Sequence, residues 1–184
     1  MKWLIIAALF PLPGFGQHSL DTTWRLTRLH SFRMTLQSHD TDADKNTRIT
    51  LYREKTVVLT DSIYCSGLSV RFDDMNQDGY KDVLVYEGSG ARANERYHLF
   101  LYLPQQNTFK KVIGFNEWPN ISVTDIKGVL VATVLTGTVD YHFFRVTGSG
   151  KLMDLGISET DWKLDGRAYD VGLKRVRKLL SRQK

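Results

Sequence analysis

Residues 71–87, RFDDMNQDGYKDVLVYE, place an acidic loop containing glycine between two short runs rich in apolar and aromatic residues. Short apolar runs bounded by Asp, Asn and Gly are typical of β-strands joined by a turn. The same alternation of short runs and turn residues continues in both directions along the chain. It predicts strands over residues 24–29, 32–37, 48–53, 56–60, 68–72, 83–87, 96–103, 109–115, 121–126, 129–136, 139–147 and 152–156.

Short, glycine-rich links join many of these strands, as at residues 127–128 and 148–150, so hairpins should dominate. The sequence therefore predicts an all-β fold built as an antiparallel meander. Residues 96–103 are largely apolar on both faces, which is typical of a strand that lies between two layers.

The end of the chain follows a different period. Tyr169, Leu173, Val176 and Leu180 recur at helical spacing with Lys and Arg between them. This pattern predicts one C-terminal amphipathic helix over about residues 165–182. The helix either covers the sheet or contacts an anionic partner or a membrane surface.

The loop at residues 74–82 has the composition of a calcium site. Oxygen-bearing side chains occupy its first, third, fifth and ninth positions and glycine the sixth, as a loop that wraps around Ca²⁺ requires. Position twelve is Val85 instead of the glutamate of an EF-hand, and both flanks are strand-like. The alternative is an acidic β-turn without metal. The predicted ligands are Asp74, Asn76, Asp78, the backbone carbonyl of Tyr80, and Asp82.

The first sixteen residues have the layout of a secretory signal peptide: Lys2, an apolar run, and small residues before the bond between Gly16 and Gln17. A buried N-terminal strand of a cytosolic protein is the alternative. We expect residues 17–184 to form a single β-rich domain in the periplasm or outside the cell. No later run is long enough to predict a transmembrane segment, and the single cysteine, Cys65, excludes an internal disulfide.

The formal net charge of +5 is concentrated at one end of the chain. Residues 165–184 carry seven basic and two acidic residues, so the remainder is close to neutral. A nucleic-acid-binding domain is expected to carry basic and aromatic residues across one face. The charge pattern therefore argues against nucleic acid as the partner, and it specifies no oligomeric state.

Residues 72–83, FDDMNQDGYKDV, resemble the calcium loop of FG-GAP and VCBS repeats. The order that follows is GSGARANERY at 88–97, HLFLY at 98–102 and NTF at 107–109. This order resembles small periplasmic proteins with a propeller-like fold, a family whose best understood representative neutralises a lysozyme-like peptidoglycan hydrolase. The resemblance implies calcium binding and a cell-wall hydrolase as partner. Because the calcium loop occurs once, it implies an incomplete or distorted propeller.

Residues 89–92, Ser-Gly-Ala-Arg, also look like the short loop through which periplasmic lysozyme inhibitors enter their target. The resemblance implies that Ser89, Gly90 and Arg92 contact the partner and that Tyr97 braces the base of the loop. Glycan hydrolases hold two carboxyl groups about 5–9.5 Å apart, which a hydroxyl and a guanidinium can engage. The alternative is a glycine-rich connection with Tyr97 in the core.

No catalytic motif stands out. The sequence lacks G-x-S-x-G and H-E-x-x-H, and we predict no catalytic residues. Three functions remain: an exported calcium-binding inhibitor of a cell-wall hydrolase, a calcium-rigidified surface or adhesion module that binds glycan or cell wall, and a hydrolase of unrecognised type. The first agrees best with the leader, the loop and the Gly-Ser-Gly segment.

Overall fold

The structure, a computed structural model, describes residues 19–26, 31–39, 42–147 and 150–182. The predicted signal peptide and its cleavage site lie outside the described residues. The elements are β1 Ser19–Arg25, β2 Ser31–Ser38, β3 Thr47–Arg53, β4 Thr56–Ile63, β5 Val70–Asp73, β6 Asp82–Gly90, β7 Asn94–Leu103, β8 Thr108–Lys111, β9 Ser122–Val123, β10 Val129–Leu135, β11 Val139–Val146, β12 Leu152–Asp161 and α1 Arg167–Ser181.

The strands form three four-stranded antiparallel sheets, each a meander in chain order. We refer to them as the first (β1–β4), second (β5–β8) and third (β9–β12) sheets. A four-stranded antiparallel meander is also the unit of a propeller blade. The structure thus confirms the predicted all-β antiparallel meander with one C-terminal helix.

Several strand boundaries differ from the prediction, most at the first strand, where the predicted range 24–29 overlaps the observed β1, Ser19–Arg25, at residues 24 and 25 alone. β8 ends at Lys111 because Ile113 pairs instead with Lys151 and Gly114, at φ +83°, turns the chain into a short 3-10 turn. β9 contains two residues, since the hydroxyl of Thr124 bonds into the following turn. β12 is longer than predicted because it pairs with β11 along its whole length, across a bulge.

The sheets pack face to face in chain order. One cluster of fully buried side chains lies between the first and second sheets, and a second lies between the second and third sheets. The middle sheet is therefore buried on both faces, as the two-faced pattern of residues 96–103 predicts. The first cluster includes Phe32, Met34, Leu36, Ile49, Leu51, Val83, Val85, Phe100 and Tyr102, and the second includes Leu84, Leu99, Leu101, Leu130, Ala132 and Phe144.

Helix α1 covers the outer face of the third sheet, where a closed propeller would place another sheet. Leu173 and Val176 join Phe143 in a third buried cluster. Gly172 lies so close to the sheet that a Cβ atom on it would be 2.2 Å from Cε2 of Phe143. Among the described residues, no helix combines the length and the apolar character needed to cross a bilayer.

The contact between Gly172 and Phe143 predicts that Gly172→Ala destabilises the protein. An added methyl group would overpack the interface, which costs ~1–3 kcal/mol and outweighs the ~0.5–1 kcal/mol that alanine gains over glycine in a helix. Urea unfolding measures the change, with Val171→Ala on the exposed side of α1 as the matched control. A Gly172→Ala protein as stable as the parent would contradict this packing.

Candidate functional site

The loop between β5 and β6 closes on its own side chains. The carboxylate of Asp74 accepts hydrogen bonds from the backbone N–H groups of Asp78, at 3.0 Å, and Gly79, at 2.8 Å. Asp78 in turn accepts the Tyr80 N–H at 2.9 Å and the Asn76 amide at 3.0 Å. The side chains at positions one, three and five of the loop therefore converge, as the predicted alternation requires.

Asp82 is the buried member of the predicted ligand set, with 0% of its surface exposed. Its two oxygens accept the N–H groups of Met75, at 2.8 Å, and Tyr102, at 2.9 Å. Burial raises the pKa of Asp82 to about 7, against these two hydrogen bonds, and the charges of Asp78 and Asp74 raise it further. The loop therefore concentrates negative charge around a carboxylate that the protein shields from water.

The predicted ligands are of the chemical type that calcium prefers, but their acidic side chains are not grouped closely. All the predicted ligands are oxygens, the donors that this hard cation prefers. Within the described ranges, however, no three His, Cys, Asp or Glu side chains form a group that could hold a metal ion. The amide of Asn76 and the carbonyl of Tyr80 would have to complete the shell. Each carboxylate oxygen that accepts one hydrogen bond keeps a lone pair for a ligand.

Gln77 ties this loop to the third sheet. Its amide donates to the carbonyl of Thr124 and accepts the N–H of Gly128, both at 2.9 Å. Gln77 adopts a φ of +57°, and both of these side-chain bonds lead away from the predicted ligands. The motif offered no signal for this role, because Gln77 occupies a position that calcium loops leave free.

The Gly-Ser-Gly segment is the end of strand β6 and not a loop. Ser89 pairs with Glu95 and Gly90 with Asn94, so the hairpin turn shrinks to residues 91–93. Ser89 is exposed, and its hydroxyl donates locally to the Gly90 carbonyl at 3.2 Å. These residues form the tip of a long β6–β7 hairpin.

Arg92 lies at the turn with φ +62°, a backbone conformation that residues other than glycine seldom adopt. Its guanidinium lies across the turn between β10 and β11, where a Cβ atom on Gly137 would be 2.8 Å from Nη1 of Arg92. Arg92 is exposed, yet its charged end rests against the third sheet.

Tyr97, on β7, contacts side chains of β5, β6 and its own strand. Its ring packs edge-on against Tyr86 at 5.4 Å and beneath the guanidinium of Arg71 at 4.9 Å, and its hydroxyl donates to Glu95 at 2.9 Å. Burial raises the pKa of Tyr97. The side chain thus braces the middle of the hairpin.

Asn94 fixes the hairpin tip, a role that sequence reasoning missed. Its amide donates to the carbonyls of Ala91, at 2.9 Å, and Leu135, at 3.0 Å, and its oxygen accepts the Leu135 N–H at 2.9 Å. Asn120 donates to the same oxygen at 3.3 Å and accepts the N–H of Glu95 at 3.1 Å. Two asparagines therefore anchor the hairpin to strand β10.

A cavity of about 360 Å³ opens beside the hairpin, at a β-bulge in β6. Glu87 is the extra residue of the bulge, and such a residue re-aims its side chain. Its Oε1 accepts from Asn116 at 3.1 Å, whereas Oε2 is buried with no hydrogen-bond partner in the described part of the chain. The cavity is lined by Tyr64, Ser66, Glu87, Gly88, Ser89, Gly90 and Arg96.

Arg96 lines this cavity, and His98 lies next to two other lining residues, Tyr64 and Glu87. His98 is 5% exposed and its Nε2 bonds to the Tyr64 carbonyl at 2.9 Å, while burial lowers its pKa and favours the neutral ring. Arg96 is exposed and forms no ion pair with any described residue. Neither was predicted as a site residue, because their proximity to Ser89 depends on strand pairing and on the bulge.

The sequence matches no family model and no curated protein. A solved structure described as that of a Xanthomonas type IV secretion system related protein resembles the fold, with a TM-score of 0.53 and 13% identity. The likeness covers 83% of this chain and 86% of that one. It shows that the two share an overall fold.

The anchoring by Asn94 predicts that Asn94→Ala loosens the hairpin tip. The substitution leaves the N–H and carbonyl of Leu135 without their side-chain partner, which costs ~1–3 kcal/mol. Amide hydrogen exchange at residues 91–94 and at Leu135 should become faster. Ser89→Ala, on the same hairpin but with only a local hydrogen bond, is the control, and equal exchange in both variants would disprove the anchor.

Proposed function

We propose that this chain is an exported protein that binds a protein partner through the tip of the β6–β7 hairpin, and that the partner is a lysozyme-like cell-wall hydrolase, which it inhibits. The observation that carries the proposal is the hairpin tip itself. It exposes Ser89, Gly90 and Arg92, it is tied to β10 through Asn94, and it borders a cavity lined by Glu87 and by Arg96, whose guanidinium forms no ion pair with any described residue.

The chemistry of the tip suits an acidic cleft. Glycan hydrolases hold two carboxyl groups on opposite sides of the scissile bond. A guanidinium forms charge-assisted hydrogen bonds with a carboxylate, and a serine hydroxyl can donate to the other. Arg96 has its guanidinium available for such a pair, whereas that of Arg92 rests against Gly137. We therefore add Arg96 to the predicted contact set of Ser89, Gly90 and Arg92.

A rigid tip favours binding because less conformational freedom is lost when the complex forms. The asparagine bonds at Asn94 and the ring contacts of Tyr97 both restrict the hairpin before a partner arrives. The leader-like pattern of residues 1–16 supports export to the periplasm or beyond, which agrees with a cell-wall target.

We further propose that the loop of residues 74–82 binds one calcium ion and that the ion is structural. The support is its all-oxygen ligand set and the negative charge around buried Asp82. Asp74, Asn76, Asp78, the Tyr80 carbonyl and Asp82 would hold the ion, which would neutralise the carboxylates. Because strand β6 begins at Asp82, the ion would stabilise the strand that carries the hairpin tip.

The inhibitor proposal predicts stoichiometric binding to a lysozyme-like hydrolase and loss of its activity. The double substitutions Ser89→Ala with Arg92→Ala, and Ser89→Ala with Arg96→Ala, should each weaken binding at least about tenfold, which corresponds to ~1.4 kcal/mol. Isothermal calorimetry measures the affinity, and thermal unfolding verifies that both variants remain folded.

Arg48→Ala with Ser62→Ala, on the opposed strands β3 and β4, is the matched control and should bind like the parent. If both hairpin variants bind as tightly as the parent, recognition by the hairpin is disproved. Direct binding to cell-wall glycan without any hydrolase would instead favour a surface module.

Calcium binding predicts that a chelator lowers the melting temperature, because an ion that binds only the folded state stabilises it by mass action. Asp78→Ala should abolish the difference between melts with and without chelator. Asp78 is the informative position because it is exposed, whereas any change at Asp82 removes two buried hydrogen bonds whether or not calcium binds. Asp44→Ala, in the exposed turn between β2 and β3, controls for the lost charge, and a parent melt unaffected by chelator contradicts the site.

A further inference from the structure

We propose that the side of the molecule formed by α1 and the turn before it binds peripherally to anionic phospholipid surfaces. We call this the basic face. It combines exposed apolar side chains with a row of cations, of which Lys174, Lys178 and Arg182 form no ion pair within the described residues. The basic face consists of Trp162, Leu164, Arg167, Val171, Lys174, Lys178 and Arg182.

The turn between β12 and α1 holds two large apolar side chains in water. Trp162 is 78% exposed and Leu164 is 62% exposed. The turn is not loose, since Asp161, itself 4% exposed, accepts N–H groups from Lys163, at 3.2 Å, and Gly166, at 2.6 Å. Leu164 also adopts a φ of +56°, which is unusual for a branched apolar residue. A rigid turn thus presents apolar groups that the core does not use.

The outward side of α1 continues this surface with positive charge. Residues 167, 171, 174, 178 and 182 recur at helical spacing, on the side opposite Leu173 and Val176, which face the third sheet. In this row Val171 is 46% exposed and the other positions are Lys or Arg. The row itself contains no acidic residue, and the exposed Asp170 lies beside it, four residues before Lys174.

The ion pairs of α1 differ between this row and the flanks of the helix. Arg175 and Arg177, on the flanks, form ion pairs with Glu159 and Asp125. Within the part of the chain that the structure describes, Lys174, Lys178 and Arg182 form no such pair. Arg167, at the start of the row, pairs with Asp165, so Lys174, Lys178 and Arg182 are the cations of the row left for an external anion.

Charge complementarity indicates which kind of partner binds the basic face. The chain's positive excess is concentrated in residues 165–184, so the basic face attracts an anionic surface. A phospholipid surface supplies both phosphate groups for the lysines and an apolar boundary for Trp162 and Leu164, and tryptophan prefers such a boundary. An acidic polypeptide or a nucleic acid would satisfy the charges without requiring the exposed leucine.

The test uses residues 17–184, the predicted mature form, and co-sedimentation with phosphatidylcholine vesicles that do or do not contain phosphatidylglycerol. We expect binding to the anionic vesicles only, with a blue shift of Trp162 emission that is lost in Trp162→Phe. Lys174→Glu with Lys178→Glu should weaken binding at least tenfold. Trp162→Ser with Leu164→Ser should do so at unchanged net charge.

Lys45→Glu with Lys55→Glu, in turns of the first sheet, changes the net charge equally and should bind within twofold of the parent. Thermal unfolding confirms that each variant is folded. Equal losses in the two lysine variants, absence of binding to anionic vesicles at low salt, or binding indifferent to Trp162 and Leu164 would each overturn the proposal. Tighter binding to polyglutamate or to single-stranded DNA than to the vesicles would assign the face to a different class of partner and overturn it too.

Discussion

Burial of both faces of strands β6 and β7 is the constraint on which the rest of the structure depends. Their side chains alternate between the two core clusters, so a slip of one residue would exchange the two faces. That strong register also positions both candidate sites, because they lie at opposite ends of the same strand pair. At one end Asp82 accepts the N–H of Tyr102, and at the other the turn at Ala91–Ala93 is held by Asn94. A rigid pairing of β6 with β7 therefore holds both candidate sites in place.

The features that the sequence could predict are those encoded within a single element. Period-two alternation identified the strands and the two-faced strand at residues 96–103, and helical spacing from Tyr169 to Leu180 identified α1. Strand ends were less accurate, as at β8 and β12, because they depend on which distant strand offers a partner. Local pattern holds no information about that choice.

The site shows the same division between local and distant information. A motif consists of consecutive residues, so the segment at 89–92 predicted a contact role for Arg92. Strand pairing instead places Arg96 opposite Gly88, and the bulge brings Glu87 to the same cavity. The anchoring roles of Gln77 and Asn94 were not predicted, because their partners, Thr124 and Leu135, are 47 and 41 residues away along the chain. The oxygen-rich loop was evident because its side chains bond to its own backbone.

The two outer faces of the stack are covered differently. In a closed propeller every sheet has neighbours on both faces. Within the described ranges the first sheet packs on the second and turns a polar surface outward, where Arg33 pairs with Asp21 and lies over Tyr52. At the other end, α1 takes the place of a further sheet, and Gly172 allows it to approach Phe143 closely. Exposed ion pairs contribute little to stability compared with buried apolar surface. The middle sheet, packed on both faces, is therefore the most constrained part of the fold, and the β6–β7 hairpin is built on this sheet.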